Sequence, residues 1–143
     1  MRIAVFGAGS VGGYFGGRLA EAGEDLVFIC RGDHLKAIQQ DGLRVESSEG
    51  NFVVQPAQAS EDPAEVGPVD AILVGVKAWQ VSQAAEALRP LIGKETVVVP
   101  LQNGVEAASQ LEAVLGAGPV LGGLCRIMSF IAGPGHIRHA GID

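Results

Sequence analysis

The stretch RIAVFGAGSVG, residues 2–12, joins a short apolar run directly to a glycine-rich turn. Strand-forming residues dominate the run, and the turn has the spacing G-x-G-x-x-G. In a strand–turn–helix unit, the first glycine makes the sharp turn, the second lets the backbone approach a pyrophosphate, and the third brings the helix close to the sheet. The amides and the positive end of the helix dipole then face an anion. The stretch therefore predicts a dinucleotide-binding turn, formed by Gly7, Ala8, Gly9, Ser10, Val11 and Gly12.

A second apolar run, LVFIC at residues 26–30, ends at Arg31. Sites that select NAD usually carry Asp or Glu at this place, and such a carboxylate would repel a 2′-phosphate. An arginine instead offers a fork of donors to phosphate oxygens. Asp33 is the rival acidic group, but it precedes an apolar-periodic segment and is interpreted as a helix N-cap. The cofactor is therefore predicted to be NADP(H).

The composition indicates one globular domain and excludes several classes of protein. The chain has 143 residues, of which 48% are hydrophobic, and its formal net charge is −6. Its basic residues are scattered, so nucleic-acid and anionic-membrane partners are not expected. No apolar run approaches the ~18 residues of a membrane span, and the N-terminal run is unlike a signal peptide. A cytoplasmic location is expected.

Cysteine and histidine spacing gives no support for a metal site. Cys30 and Cys125 are far apart, with neither a C-x-x-C pair nor His/Cys spacing, so reduced and buried thiols are expected. His136 and His139 lie in a terminal segment without carboxylate or cysteine partners, and they are interpreted as structural residues. We therefore predict that the chain binds no metal.

Polar residues follow two further apolar runs. Residues 70–76 form a continuous apolar run, as a central parallel strand requires, and Lys77 stands at its carboxyl end. Ligands of open α/β sheets gather at this edge, so Lys77 is a candidate cofactor contact, with a solvated strand-end lysine as the alternative. Gln80 lies near the same rim, in the first turn of an amphipathic helix predicted over 79–91. Asn103 follows the next strand; its amide suits a ribose hydroxyl or a carboxamide, and a simple Asn-Gly turn is an equal alternative.

The order of strands and helices indicates the fold class. Strands alternate with helices, which is typical of a parallel sheet covered by helices. Residues 43–46 and 51–54 are predicted to form a hairpin or an edge strand. Residues 126–131 and 136–139 flank a Gly-Pro-Gly turn and are predicted to form an antiparallel hairpin on the sheet edge. The prediction is an α/β fold of the Rossmann type, doubly wound, with a mainly parallel sheet and an antiparallel edge hairpin.

Four segments of the chain resemble one enzyme family. They are GAGSVGGYFGGRLAEAG at 7–23, CRG at 30–32, VKAWQ at 76–80 and LQNG at 101–104. Together and in this order, they resemble the N-terminal half of the ketopantoate reductases (2-dehydropantoate 2-reductases), NADPH-dependent enzymes of pantothenate biosynthesis. The glycine-rich turn is common to many dehydrogenases, whereas the last two segments are much more specific.

The resemblance implies roles for individual residues. The glycines of the turn match the family's phosphate-binding glycines, and Arg31 matches the residue that meets the 2′-phosphate. Lys77 and Gln80 match cofactor contacts that follow a strand. Asn103 matches an asparagine near the nicotinamide ribose and the bound substrate, so it is predicted to bind both cofactor and substrate.

Family members are considerably longer than this chain. In them a second, helical domain supplies the catalytic lysine, which protonates the ketone oxygen, and the polar residues that hold the substrate. By resemblance, residues 1–143 form the NADP(H)-binding domain, the helical domain is absent from the chain, and the chain alone is expected to be inactive. Such a domain would expose apolar surface, so association into a homodimer is also expected.

The resemblance predicts an oxidoreductase that reduces ketopantoate, a small 2-keto acid, with NADPH. Two alternatives stay open: a related reductase of another 2-keto acid, and a non-catalytic NAD(P)-sensing module with the same fold. The KAWQ and QNG segments favour the reductase, because a sensor has no reason to share them.

Overall fold

The computed structural model describes residues 1–102 and 105–141. Its strands are β1 (Arg2–Phe6), β2 (Asp25–Ile29), β3 (Leu43–Ser47), β4 (Phe52–Val54), β5 (Gln58–Ser60), β6 (Val69–Val74), β7 (Ile92–Pro100), β8 (Met128–Gly133) and β9 (His136–Gly141). Its helices are α1 (Ser10–Glu21), α2 (Gly32–Asp41), α3 (Pro63–Val66), α4 (Val81–Ala87) and α5 (Ala107–Leu115), and short 3-10 turns at Ala78–Gln80 and Arg89–Leu91 flank α4. The α-helix predicted over 79–91 is shorter in the structure, where only α4 is α-helical. It ends before Pro90, which cannot donate a helical hydrogen bond.

A five-stranded sheet forms the centre of the fold. Its order is β5–β2–β1–β6–β7, and its strand pairs are parallel. Along β1, Ile3 and Val5 belong to one buried cluster and Ala4 to the other, as the alternation of a strand requires. Leu111 of α5 packs into the Ala4 cluster, and Ile38 of α2 packs into the other. Helices therefore cover both faces, and the predicted doubly wound α/β fold is confirmed.

A second sheet of four strands has the order β4–β3–β9–β8. Strand β3 pairs antiparallel with β4 and parallel with β9, and β8 and β9 form an antiparallel hairpin. Both predicted hairpins are therefore present, but our placement of the second on the edge of the central sheet is wrong. The reason is that β9 buries Ile137 and His139 against α1, which lies between the two sheets.

Helix α1 carries glycines on both of its packed sides. A Cβ at Gly16 would lie 2.7 Å from side-chain carbons of β1 and β2. On the opposite side, a Cβ at Gly17 would lie 3.2 Å from a ring carbon of Phe52 in β4. The close approach of the helix to the sheet that was predicted at Gly12 is confirmed, and Gly16 continues the same ridge. A second ridge, formed by Gly13 and Gly17, faces the mixed sheet and was not predicted.

The two histidines of β9 and the two cysteines were considered above as metal ligands, and the structure shows where they lie. His136 Nε2 lies 3.1 Å from the Glu46 carboxylate, and His139 is buried beside α1. Cys30 and Cys125 are free but only half-buried, and burial raises the pKa of the Cys30 thiol to about 11. Within residues 1–102 and 105–141, no three His, Cys, Asp or Glu side chains are grouped to hold a metal ion. Among the helices of those residues, none is long and apolar enough to cross a membrane.

Candidate cofactor site

The carboxyl ends of β1, β2 and β6 lie at one level of the central sheet. Phe6 is in register with Ile29 of β2 and with Val74 of β6. The Gly7 N–H donates to the Ile29 carbonyl oxygen at 3.0 Å, and the Gly75 N–H donates to the Phe6 carbonyl oxygen at 2.8 Å. The segments that follow these three strands therefore leave the sheet side by side. The strand order also reverses at β1, and ligands of open α/β sheets bind at such a point.

Steric crowding explains two glycines of the turn. Gly7 has a φ of +96°, and a Cβ there would lie 2.8 Å from the Val76 amide nitrogen. A Cβ at Gly12 would overlap the Gly7 carbonyl oxygen. Gly75, just after β6, packs into the same place, since its Cβ would lie 2.7 Å from that oxygen. The turn is therefore one tightly packed backbone unit with the ends of β1 and β6, and the role of Gly75 in it was not predicted.

The middle of the turn is open. A Cβ at Gly9 would lie 3.8 Å from the tip of Ile131, an ordinary contact distance. Gly9 is the N-cap residue of α1 and has no side chain with which to cap the helix, and the first turn of α1 contains no acidic residue. The first amides of a helix lack intrahelical partners and lie at the positive end of its dipole. An anion that needs close backbone approach, such as a pyrophosphate, fits this position.

Arg31 stands where β2 passes into α2. Its side chain is exposed, and its extended backbone, with a φ of −147°, is that of the helix N-cap. Asp33, which we predicted as the N-cap, lies within the first turn, because α2 begins at Gly32 and so before the apolar-periodic residues. The guanidinium of Arg31 is thus on the surface, at the same edge of the sheet as the glycine-rich turn.

Lys77 and Gln80 form a local turn after β6. The Gln80 N–H donates to the Lys77 carbonyl oxygen at 2.8 Å, and the Lys77 N–H donates to Gln80 Oε1 at 3.0 Å. The Lys77 side chain is exposed, while Gln80 is partly buried. Gln80 therefore holds the backbone that carries Lys77, a positioning role that the sequence did not indicate. Lys77 adds a second positive charge to the edge that carries Arg31.

Asn103 lies outside the described residues, so its predicted contacts stay predictions. Its neighbour Gln102 is 8% exposed, and its Nε2 donates to the Val74 carbonyl oxygen at 2.7 Å and to that of Val76 at 2.8 Å. These bonds tie the segment after β7 to the end of β6. This role of Gln102 could not be predicted from the sequence, because a glutamine that bonds to distant backbone carbonyls has no periodic signal.

Two side chains from outside the turn also contact its backbone. Ser129 Oγ of β8 donates to the Ser10 carbonyl oxygen at 2.9 Å, and His34 Nε2 of α2 contacts the Ala8 carbonyl oxygen. Ser129 lies far from the turn in sequence, so no spacing rule indicates its contact. The glycine-rich turn is therefore supported by α2 and by the mixed sheet as well as by β6.

A surface cavity of about 370 Å³ lies beside β5. Its lining includes Arg2, Gln39, Gln58 and Glu65 and contains none of those predicted site residues that the structure describes. The predicted cofactor edge is instead an open rim, on which Arg31 and Lys77 are exposed. The cavity is therefore separate from the candidate site.

Known proteins resemble the chain over nearly all of its length. The family model of ketopantoate reductase PanE/ApbA matches residues 3–143. YkpB of Bacillus subtilis, an uncharacterised oxidoreductase, is 39% identical over 97% of this chain and 45% of its own length. The crystal structure of 2-dehydropantoate 2-reductase from Geobacter metallireducens is 38% identical, with a TM-score of 0.93 over 99% of this chain and 46% of that one. D-mandelate dehydrogenase, solved with NADH and anilino(oxo)acetate, is 26% identical, with a TM-score of 0.88 over 99% of this chain and 46% of that one. The chain spans slightly less than half of these proteins.

Proposed function

Because the chain belongs to the ketopantoate reductase PanE/ApbA family, we propose that it binds NADP(H) for the reduction of ketopantoate to pantoate. Residues 1–143 are then the NADP(H)-binding domain, and the acid that protonates the ketone oxygen belongs to a helical domain outside them. When bound, NADPH supplies the hydride, while the residues of this chain bind and orient it.

The arrangement of three strand ends carries this proposal. Strand β1 lies between β2 and β6, so the glycine-rich turn has Arg31 on one side and Lys77 on the other. Dinucleotides lie across such a point, with the pyrophosphate at the helix N-terminus. The 2′-phosphate then belongs beside Arg31, and the nicotinamide ribose, which the resemblance assigns to Asn103 as a contact, belongs on the side of Lys77. Arg31 thus faces the 2′-phosphate, and the positive end of the α1 dipole faces the pyrophosphate.

NADH is the second candidate cofactor, because the similar D-mandelate dehydrogenase was solved with NADH. The two cofactors differ only in the 2′-phosphate, so the choice depends on the residue at the end of β2. Arg31 favours NADPH there, since its guanidinium can donate two parallel hydrogen bonds to phosphate oxygens.

A titration of the purified protein with NADPH and NADH, followed by nicotinamide fluorescence, tests the proposal. We expect NADPH to bind at least ~10-fold more tightly, which is about 1.4 kcal/mol. Arg31→Ala should remove most of this preference and leave the NADH affinity nearly unchanged, because only NADPH carries the 2′-phosphate.

Lys94→Ala is the matched control, since it removes one positive charge from an exposed site in the irregular part of β7 between the paired residues Ile92 and Val97, toward the amino end of the strand and away from the cofactor edge. It should change neither affinity by more than about twofold at physiological salt, because screening weakens distant surface charges. Equal affinities of the wild-type protein for NADPH and NADH would contradict the choice of NADPH, and no binding of either would contradict the cofactor site itself.

Ketopantoate is the proposed substrate for two reasons. The KAWQ and QNG segments are the most specific part of the resemblance to the ketopantoate reductases, and the Geobacter protein is named a 2-dehydropantoate 2-reductase. Another 2-keto acid, or a sensing role, is the alternative. Turnover of ketopantoate by the whole protein would separate these functions. A homodimer and a cytoplasmic location stay predictions.

A further inference from the structure

His34 lies between the glycine-rich turn and the turn that joins β8 to β9. Its Nε2 is in hydrogen-bond contact with the Ala8 carbonyl oxygen. The Gly135 N–H donates to its Nδ1 at 2.9 Å. Both ring nitrogens of this partly buried side chain are therefore bonded to backbone groups. In the sequence, His34 is only three residues from Arg31.

The two bonds define the protonation state of the ring. A backbone N–H can only donate, so Nδ1 must be the unprotonated acceptor for Gly135. A carbonyl oxygen can only accept, so Nε2 must carry the proton that is donated to Ala8. The imidazole of His34 is therefore neutral, with its proton on Nε2.

The bond to Ala8 also fixes the direction of the next amide. The Ala8 carbonyl and the Gly9 N–H belong to one planar trans peptide, in which the two groups point in opposite directions. Glycines on both sides of Ala8 would otherwise let this peptide rotate. A carbonyl held by His34 therefore keeps the Gly9 N–H turned away from α2.

The second bond anchors His34 itself. Gly135 packs against α2 and β3: its Cβ would lie 3.0 Å from the Ala37 side chain, and its carbonyl oxygen accepts from the Arg44 N–H at 2.8 Å. The imidazole is thus held by a packed turn of the mixed sheet, which limits its rotation about χ2. It connects α2, which starts beside Arg31, to the turn proposed for the pyrophosphate.

We propose that His34 is a positioning residue for the dinucleotide: it orients the Ala8–Gly9 peptide so that the Gly9 amide faces the pyrophosphate. This inference rests on the proposed NADP(H) function. The pyrophosphate is common to NADPH and NADH, so His34 acts on the affinity for both. Arg31 differs in this respect, because it acts through the 2′-phosphate alone.

Three substitutions separate the two bonds of His34. A glutamine amide can reach the position of Nε2 and donate to Ala8, an asparagine amide oxygen can take the position of Nδ1 and accept from Gly135, and an alanine loses both bonds. We expect His34→Ala and His34→Asn to weaken NADPH and NADH binding by at least ~10-fold each, and His34→Gln to restore most of the affinity. The ratio of the two affinities should stay that of the wild-type protein in every variant.

A purely structural role of His34 would give a different result. The loss of cofactor affinity in each variant would then follow the decrease in its midpoint of urea unfolding, and the Gln and Asn variants would bind the cofactors equally. That result would overturn the proposal, as would wild-type affinity in His34→Ala. Nitrogen-15 NMR of the wild-type protein without cofactor should show a protonated Nε2 and an unprotonated Nδ1. The opposite tautomer would also overturn the proposal, and this test does not depend on the folding of any variant. If the wild-type protein shows the expected tautomer but binds neither cofactor, the proposed function fails and the role of His34 toward the cofactor falls with it.

Discussion

The two packed sides of α1 meet their sheets differently. Toward the central sheet, a Cβ at Gly16 would lie 2.7 Å from both Val5 and Phe28, which are fully buried. Toward the mixed sheet, a Cβ at Gly17 would lie 3.2 Å from the ring of Phe52, which is partly exposed in a short strand. Side chains in a close-packed core cannot move aside, whereas a ring at the surface can. At these two positions, α1 is therefore packed more tightly against the central sheet than against the ring of Phe52.

This difference shows what the glycines of α1 do for the site. Each glycine in a helix costs about 1 kcal/mol relative to alanine, so a helix with several of them needs a compensating contact. On the central-sheet side, the contact brings the N-terminus of α1 against the ends of β1 and β6. The proposed pyrophosphate site depends on this approach, because the amides that face the anion move with the helix.

The largest expected effect is therefore on the central-sheet side. Gly12→Ala should lower the free energy of unfolding by more than about 3 kcal/mol, because its Cβ would overlap the Gly7 carbonyl oxygen, a backbone atom with no room to shift. Urea unfolding followed by circular dichroism measures this change.

Gly9→Ala is the control for that substitution. Its Cβ would have an ordinary contact at 3.8 Å, and the φ of −79° suits alanine. The free energy of unfolding should therefore fall by less than about 1 kcal/mol, the typical loss when alanine replaces a good N-cap residue. Equal stability of the two variants would show that the close approach of α1 to the turn is absent.

The next effect concerns the attachment of the mixed sheet. Ile137 is fully buried, and its side chain lies 3.0 Å from the position that a Cβ of Gly13 would take. Ile137→Ala should cost about 2–3 kcal/mol, since it removes buried methyl groups and leaves a cavity beside α1. Ile131→Ala, in the same hairpin but 52% exposed, should cost less than about 1 kcal/mol. Similar losses in both variants would mean that the hairpin is not packed on α1 through β9.

The central sheet could be predicted because its signals are local. The glycine spacing after β1, the apolar run of β6 and the position of Arg31 each lie within one strand–turn–helix unit. Parallel register then brings these strand ends together without further information. The structure accordingly places the segments of Arg31 and Lys77 on the two sides of the turn, as their positions at strand ends indicated.

The mixed sheet could not be predicted in the same way, because its pairing joins distant parts of the chain. Arg44 of β3 is in register with His136 of β9, and no local pattern distinguishes this partner from the edge of the central sheet. His34 and Gln102 were missed for a related reason, since each bonds to backbone groups that come close only in the folded chain. The four-residue spacing of Gly13 and Gly17 was visible, but it indicates a contact only when a second sheet is known.

The smallest expected effect, and the sharpest comparison of the two sides, is at Gly17. Gly17→Ala gains about 1 kcal/mol of helix propensity, while the ring of Phe52 at 3.2 Å and the side chain of Val45 at 3.3 Å from the new Cβ have to shift by a few tenths of an ångström. That ring also has the guanidinium of Arg18 4.6 Å from its centroid, a contact that the shift weakens. The two contributions nearly cancel, so the unfolding free energy should change by less than about 1 kcal/mol. In a Phe52→Leu background the contact with the ring is lost and that with Val45 remains, so the same substitution should be more favourable there than in the wild-type protein. A loss in both backgrounds as large as that expected for Gly12→Ala, above about 3 kcal/mol, would show that α1 is packed equally tightly on its two sides.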